Sequence, residues 1–266
     1  MTPVLTSILP AGDAKAGVLT LNRPEQLNPI DSAVLAALDA GVDTLLSDGD
    51  VRALLVTGAG RAFSAGGDLK AYIELQRDPV AFPAFVSELH RVFGRLRQVR
   101  VPTIALVNGV TAAGGLELLL NCDVAIASRS ARIGDAHLNF GMMGGGGVLT
   151  LLPRFVGMAR ARELVMTGRF LDADEAAAWG LVSRVVDDHE LLDAGLALAA
   201  TIAEKSPLAL ANAKEVMHAV WADRLPIDAG LRFERERNAF YCLTSHDARE
   251  GLEAFAAKRR PRFTGT

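Results

Sequence analysis

The chain has 266 residues, of which 50% are hydrophobic and 22% charged, so it can bury one sizeable core. Its formal net charge of -3 provides no broad positive field, which argues against nucleic acid or an anionic membrane surface as a partner. No apolar run reaches the roughly 18 residues that a membrane-spanning helix needs, and the first ten residues do not resemble a signal peptide.

The cysteines and histidines indicate neither a disulfide framework nor a metal centre. Cys122 and Cys242 are far apart in the sequence, and the five histidines lack the close spacing of metal ligands. Unpaired thiols fit a reducing compartment. We therefore expect a cytoplasmic protein without a bound metal.

Apolar runs of strand length alternate with segments of helical periodicity along the first 190 residues. The predicted strands cover residues 17–24, 52–58, 102–109, 123–128 and 180–187. The predicted helices cover residues 31–48, 147–156 and 158–168, and another begins near Gly114. This alternating order is typical of an α/β fold.

The composition changes after about residue 190. The alanine- and leucine-rich segment LLDAGLALAATIAEKSPLALANAKEVMHAVW has helical periodicity, and no strand-like run follows it. We therefore divide the chain into an α/β body over residues 1–195 and a helical C-terminal region over residues 196–266. On composition alone, the basic cluster near the end is a solvated tail: Lys258, Arg259, Arg260 and Arg262.

A first glycine-rich turn, GAGRAFSAGGDLK at residues 58–70, follows a predicted strand. It lacks the GxGxxG spacing of a dinucleotide fingerprint, which disfavours a Rossmann-type site. The small residues Ala65, Gly66 and Gly67 instead allow a ligand to approach the backbone, and they leave N–H groups available to face it.

A second turn, VNGVTAAGGLELLLNCD at residues 107–123, places a helix start near Gly114 and a carboxylate, Glu117, in its first turn. By itself, Glu117 is an ordinary carboxylate at the positive end of a helix dipole. Two turns of this kind together can point two N–H groups at one oxygen, which is the arrangement of an oxyanion hole. A carboxylate beside an oxyanion hole can transfer the proton that such chemistry requires.

Six segments together resemble the enoyl-CoA hydratase/isomerase family, also called the crotonase family. They are LNRPEQLNPID, GRAFSAGGDLK, VNGVTAAGGLELLLNCDVAIAS, residues 131–147, TGRFLDADEAAAWGLVSRVV and EGLEAFAAKRRPRF, in the family's order along nearly the whole chain. The resemblance implies a spiral of ββα units for residues 1–195 and a helical trimerisation region for residues 196–266, in a homotrimer or a hexamer of two trimers. It also implies an acyl-CoA thioester substrate, so that coenzyme A arrives with the substrate and no cofactor is permanently bound.

The same resemblance assigns residues to the thioester. Its carbonyl oxygen would accept hydrogen bonds from the backbone N–H groups of Ala65 and Gly114. The adenine and pantetheine would contact Gln26, Asn28, Ala65, Gly67, Asp68 and Leu69. Phe255 and Lys258 match family positions that reach coenzyme A, often on a neighbouring subunit, and Ala71–Val92 would line the acyl pocket.

The sequence departs from the family at one catalytic position. Hydratases of the family hold the reacting water between two glutamates; Glu117 matches the first, but His137 stands in the place of the second, within SARIGDAHLNFGMMGGGG. An imidazole can accept or donate a proton near neutral pH, so His137 either replaces the acid or is a packed histidine that marks its loss. A neighbouring Glu117 would favour the charged imidazole and burial would oppose it. Asp135 would lie on the same side of an extended segment and could orient the ring.

These residues predict an enoyl-CoA hydratase-like enzyme, in which a water held by Glu117 adds to the β carbon of a 2-enoyl-CoA. One alternative is an isomerase or another CoA-enolate reaction, such as carbon–carbon hydrolysis, for which one base and an oxyanion hole suffice. A second alternative is a non-catalytic acyl-CoA-binding protein that has lost its second acid. An RNA-binding role, as some relatives have, is disfavoured by the net charge of -3.

Overall fold

The computed structural model describes residues 2–221 and 224–266; residues 222 and 223, in the predicted C-terminal helical region, lie outside this description. Its strands are β1 (Val4–Ala11), β2 (Ala14–Leu21), β3 (Val51–Gly58), β4 (Ala62–Ser64), β5 (Thr103–Val107), β6 (Val110–Ala112), β7 (Val124–Ser128), β8 (Arg132–Gly134), β9 (Phe170–Asp172) and β10 (Arg184–Val186). Its helices are α1 (Ser32–Leu46), α2 (Leu69–Leu75), α3 (Ala81–Gln98), α4 (Gly114–Leu119), α5 (Val148–Val156), α6 (Met158–Thr167), α7 (Ala173–Ala178), α8 (Leu191–Ala203), α9 (Pro207–Trp221), α10 (Ile227–Thr244) and α11 (His246–Ala256). Among these helices, none is long and apolar enough to cross a membrane.

A repeating unit builds two sheets. The larger sheet has the order β1-β2-β3-β5-β7-β10, with β1 antiparallel to β2 and the other neighbours parallel. The smaller sheet has the order β4-β6-β8-β9, with β9 antiparallel to β8. The consecutive pairs β3–β4, β5–β6 and β7–β8 each give one strand to each sheet and lead into a helical segment. The predicted α/β spiral of ββα units is therefore confirmed.

The central strands are buried on both faces, which explains why they form continuous apolar runs in the sequence. Leu54 of β3 belongs to the core that α1 and α3 cover, whereas Leu55 belongs to a second core that α8 covers. Because Leu191 and Ala199 of α8 pack into this second core, α8 belongs to the α/β body. The predicted boundary at residue 195 falls inside this helix, which ends at Ala203.

Ion pairs attach the C-terminal helices to the body and to the end of the chain. The Lys214 ammonium of α9 donates to Asp123 at 2.6 Å and to two backbone carbonyls of the body. Near the end, the Arg259 guanidinium donates to both oxygens of Glu250 at 2.6 and 2.7 Å. Arg259 is therefore an exposed residue that pairs with α11, so the solvated tail is attached to this helix by an ion pair.

Candidate active site

A cavity of about 820 Å³ lies between the two glycine-rich turns, α2, the start of α3 and the segment 136–145. A cavity of this size is typical of small-molecule sites. The predicted site residues that line it are Gln26, Ala65, Gly67, Asp68, Leu69, Gly114 and His137. Glu117 is buried next to this wall, whereas Asn28, Phe255 and Lys258 are not part of it.

The two glycine-rich turns pack against each other at one side of the cavity. A Cβ atom on Gly66 would lie 2.8 Å from the Cβ of Ala113 and 3.4 Å from the nitrogen of Gly114, so a larger residue would separate the turns. The φ of Gly66 is +106°, which also favours glycine. The backbone N–H groups of the two turns are therefore close neighbours.

The pair of N–H groups that these turns leave free differs from the predicted pair. The Ala65 N–H donates to the carbonyl of Leu27 at 2.9 Å, so it is not available to a ligand. Gly67 and Gly114 both line the cavity, and within the described residues neither N–H has a hydrogen-bond acceptor. Gly114 is the first residue of α4, where N–H groups lack a partner within the helix. We therefore replace Ala65 with Gly67 as a candidate oxyanion donor and keep Gly114.

Asn28 holds the first turn in shape from inside the protein. Its amide nitrogen donates to the carbonyls of Ala59 and Ala62 at 3.0 and 2.8 Å, and its Oδ1 accepts the N–H of Arg23 at 2.8 Å. The residue is 1% exposed. The predicted contact between the Asn28 side chain and coenzyme A is therefore corrected, because the side chain is already fully bonded within the loop.

Asp68 faces the cavity and also begins a helix. Its Oδ1 accepts the N–H groups of Lys70 and Ala71 at 2.9 and 3.1 Å, which makes it the N-cap of α2. Asp31 caps α1 in the same way by accepting the N–H of Val34. Both aspartates therefore cap the first turn of a helix.

Phe255 and Lys258 lie at the end of α11 and just after it, outside the cavity of their own chain. Phe255 is 86% exposed, and Lys258 is exposed as well. Contact between these residues and a thioester in this cavity would need another subunit, as the family resemblance implies. Their role stays a prediction.

The carboxylate of Glu117 is held by the glycine run, residues 144–147, which lies between β8 and α5. Its Oε1 accepts the N–H of Gly146 at 2.6 Å and that of Val148, at the start of α5, at 3.3 Å. Glu117 is 2% exposed. Two backbone donors therefore fix a buried carboxylate beside the cavity.

The glycine run is required by this close approach. A Cβ atom on Gly146 would lie 2.3 Å from Glu117 Oε2 and 2.3 Å from a methyl of Leu89, so a larger residue would displace both side chains. A Cβ atom on Gly144 would lie 3.3 Å from His137 Nδ1 and 3.4 Å from Glu117 Oε1. The imidazole and the carboxylate therefore flank the same point of the loop.

His137 is held by Asp135. The His137 Nδ1 lies 2.7 Å from Asp135 Oδ1, and the Asp135 side chain is 1% exposed. An ionised carboxylate only accepts hydrogen bonds, so Nδ1 carries a proton and Nε2 is the ring nitrogen available to the cavity. Among the described atoms, Asp135 Oδ2 has no hydrogen-bond partner. Asp135 thus orients the ring, and it does so across a left-handed Ala136, with a φ of +57°, and not along the extended segment that the sequence argument assumed.

Burial and neighbouring charges act in opposite directions on the pKa values of Glu117 and His137. Burial is the largest influence on Glu117 and raises its pKa, against the charge of His137 and the two backbone hydrogen bonds. Burial is also the largest single influence on His137 and lowers its pKa, but the Asp135 hydrogen bond and the charges of Glu117 and Asp135 outweigh it. The pKa of His137 is therefore raised, which favours the protonated imidazole.

The predicted acyl segment, residues 71–92, forms one apolar wall of the cavity. Its lining residues are Tyr72, Phe82, Val86 and Leu89. The ring of Tyr72 packs edge-on against Phe82 and Phe85, with centroids 5.8 and 5.4 Å apart. Burial, assisted by the charge of Glu117, raises the pKa of Tyr72 to about 12, so its hydroxyl stays protonated at neutral pH. Sequence analysis did not single out this polar group.

The site thus combines two unpaired backbone donors with a cluster of Glu117, His137 and Asp135. Donors of this kind stabilise negative charge on a carbonyl oxygen, and the cluster can move a proton beside it. In the described part of the chain, no group of three or more histidine, cysteine, aspartate or glutamate side chains is arranged to hold a metal ion. The fold and the site define an enzyme that activates a carbonyl compound through an oxyanion or enolate.

Comparisons with known proteins extend along nearly the whole chain. The family model described as enoyl-CoA hydratase/isomerase matches residues 12–266. A probable enoyl-CoA hydratase of Mycobacterium tuberculosis is 38% identical over 258 residues, which cover 97% of this chain and 98% of the relative. The 1,2-epoxyphenylacetyl-CoA isomerase of Escherichia coli is 38% identical over 252 residues, which cover 93% and 94% of the two chains.

A crystal structure of an enoyl-CoA hydratase from Bacillus anthracis has the same fold. It superposes with a TM-score of 0.90 at 33% identity and covers 98% of this chain and 99% of its own. The chain therefore belongs to the enoyl-CoA hydratase/isomerase family, and it is an enzyme of that family.

Proposed function

We propose that this enzyme adds water to the double bond of a 2-enoyl-CoA. The observation that carries the proposal is the position of the Glu117–His137 pair beside two unpaired N–H groups at one cavity. The names of the hydratase relatives support the same substrate class.

The first step is polarisation of the thioester. Its carbonyl oxygen accepts hydrogen bonds from the N–H groups of Gly67 and Gly114, which draw electron density from the conjugated double bond. The β carbon becomes electrophilic, and these two N–H groups stabilise the negative charge that develops on the oxygen. The acyl group extends along the wall that carries Tyr72 and Leu89.

The second step is a pair of proton transfers. The Glu117 carboxylate takes a proton from a water whose oxygen bonds to the β carbon, and protonated His137 gives the Nε2 proton to the α carbon. The product is a 3-hydroxyacyl-CoA, with all the atoms of one water added. Glu117 then returns its proton to His137, which flanks the same point of the loop, and the site is restored.

A product analysis tests this function directly. Wild-type enzyme is incubated with crotonyl-CoA and longer 2-enoyl-CoAs, and the products are identified by mass spectrometry. We expect a gain of the mass of one water from 2-enoyl-CoA. Binding without any product would favour the non-catalytic acyl-CoA-binding alternative and would overturn the proposal.

Double-bond isomerisation through a CoA enolate is the second candidate. Isomerisation needs only one base, and His137 and Glu117 differ in their access to the cavity. His137 forms part of the cavity wall, whereas Glu117 is covered by the glycine run. The name of the Escherichia coli isomerase fits this chemistry. Supplying 3-enoyl-CoA separates the candidates, because an isomerase converts it to a product of unchanged mass.

We also propose a trimer or a hexamer of two trimers, with Phe255 and Lys258 of one subunit reaching coenzyme A in another. Large apolar side chains are exposed on α10 and α11, including Leu243 at 81% and Leu252 at 75%, and such exposure marks interaction surfaces. Light scattering measures the assembly.

An exposed unpaired thiol, Cys242, fits the proposed cytoplasmic location.

Replacing Asp135 with asparagine should shift the pH dependence of hydration. Asparagine can still accept the Nδ1 proton of His137 through its oxygen, but it removes the charge that raises the pKa of His137. The pKa of His137 then falls, so the imidazole loses its proton at lower pH. We expect the alkaline limb of the kcat profile to move down by about one pH unit. An unchanged profile would contradict the role of protonated His137.

A further inference from the structure

A histidine outside the cavity, His90, forms a hydrogen bond with the same glycine run that binds Glu117. His90 is exposed on α3, and its Nε2 lies 2.5 Å from the carbonyl oxygen of Gly145. A carbonyl oxygen only accepts hydrogen bonds, so the Nε2 of His90 carries the proton. His90 therefore donates to the glycine run from the side opposite Glu117.

The two contacts meet at a single peptide group. The carbonyl of Gly145 and the N–H of Gly146 belong to one planar unit and point in opposite directions. The carbonyl accepts from His90, and the N–H donates to Glu117 Oε1 at 2.6 Å. His90 and Glu117 thus hold the same peptide from its two ends.

A peptide between two glycines turns more easily than any other, because neither residue has a Cβ atom. A half-turn would point the carbonyl oxygen at the Glu117 carboxylate and the N–H at His90. The neighbouring contacts of α3 are apolar: a Cβ atom on Gly145 would lie 3.7 Å from Val86, and one on Gly146 would touch Leu89. Of these α3 contacts, only the His90 hydrogen bond distinguishes the two orientations of the peptide.

We propose that His90 is a positioning residue, which fixes the Gly145–Gly146 peptide so that its N–H faces Glu117. The proposal rests on the proposed catalytic role of Glu117 and adds a residue outside the cavity to the machinery. A hydrogen bond to the carbonyl also polarises the peptide and strengthens the N–H as a donor. His90 therefore stabilises the ionised form of Glu117 from a distance.

The titration of Glu117 reports this effect directly. The other titratable groups that act on Glu117 are His137, Asp135 and Tyr72, and all three remain in the variants. The carboxyl carbon of Glu117 is followed by NMR in protein labelled at glutamate, and the Glu117→Gln variant identifies its signal. This measurement does not depend on turnover, so it is informative even if the protein hydrates no enoyl-CoA.

We compare His90→Ala, which removes the donor, with His90→Gln, whose amide can donate to the same carbonyl. The alanine variant should raise the pKa of Glu117 by about one unit, because a charge-assisted hydrogen bond is weakened, and the glutamine variant should return it toward wild type. His189→Ala, at an exposed histidine away from the cavity, should leave the titration unchanged.

The kinetic counterpart is a fall in kcat with a nearly constant KM. The acid limb of the kcat profile should move up in His90→Ala by the same shift as the carboxyl signal, while KM stays within about twofold. Equal Glu117 titration in wild type and His90→Ala would overturn the proposal, as would equal shifts in the alanine and glutamine variants. Failure of the wild-type enzyme to hydrate any enoyl-CoA would instead count against the proposed function.

Discussion

Replacing Glu117 with glutamine is expected to lower kcat for the hydration of crotonyl-CoA about 10²- to 10⁴-fold. Glutamine has nearly the same shape, and its Oε1 can still accept the N–H groups of Gly146 and Val148, so the glycine run stays in place. The change removes only the group that takes a proton from water. The loss of the enoyl-thioester absorbance measures the rate.

Two measurements separate this effect from a general loss of structure. Glu204→Gln, at the exposed end of α8, makes the same chemical change far from the cavity and should leave kcat unchanged. Binding of a saturated acyl-CoA to Glu117→Gln should stay within about threefold of wild type, because the oxyanion donors are intact. Equal hydration rates for Glu117→Gln and wild type would remove Glu117 from the chemistry and leave His137 as the acid–base group.

The sequence predicted β2, β3, β5 and β7, which are largely buried in the larger sheet, and β10, an edge strand whose Arg184 is exposed. β3 and β5 have few polar residues, so they stand out as apolar runs of strand length. β1 was missed because most of its residues are exposed and no apolar run marks it. β4, β6, β8 and β9 have three residues each, which is too short to show a period.

Local patterns located the two turns and the residues near His137, but they could not assign every group. The pairing of His137 with Asp135 joins residues two apart and was considered from the sequence, but it forms through a left-handed Ala136 and not through an extended segment. Which N–H of the first turn is free depends on Leu27, which belongs to another loop, so neither the sequence pattern nor the family resemblance, which assigned Ala65, could identify it. The contact of His90 with Gly145 likewise joins distant segments and has no local signal.

The glycine run is a further feature that local sequence patterns could not explain. In the sequence, Gly144–Gly147 resembles a flexible linker beside a histidine. In the structure, a Cβ atom on Gly146 would lie 2.3 Å from Glu117 Oε2, and one on Gly144 would lie 2.2 Å from a methyl of Val148. Gly147 has a φ of +115° where α5 begins. The contact of Gly146 with Glu117 of α4 joins distant segments that only the folded chain brings together.

Replacing the peptide N–H of Gly67 with an ester oxygen should lower kcat/KM about 10²- to 10³-fold, as expected for the loss of one oxyanion-hole donor. The change is made by incorporating glycolic acid at position 67, which alters one backbone atom and leaves the turn its shape. The N–H of Gly67 has no acceptor within the described residues, so its removal breaks no hydrogen bond of the free protein. The effect should therefore appear in catalysis while thermal stability is retained.

The matched control is the same chemical change at position 65, with lactic acid in place of alanine. The Ala65 N–H donates to Leu27 at 2.9 Å, so the ester there should cost about 1 kcal/mol of folding stability. Its kcat/KM should stay within about threefold, because Gly67 and Gly114 still hold the carbonyl oxygen. The opposite result, in which the ester at 65 abolishes hydration and the ester at 67 does not, would restore Ala65 as the donor. It would also require the Leu27 contact to open when the thioester binds.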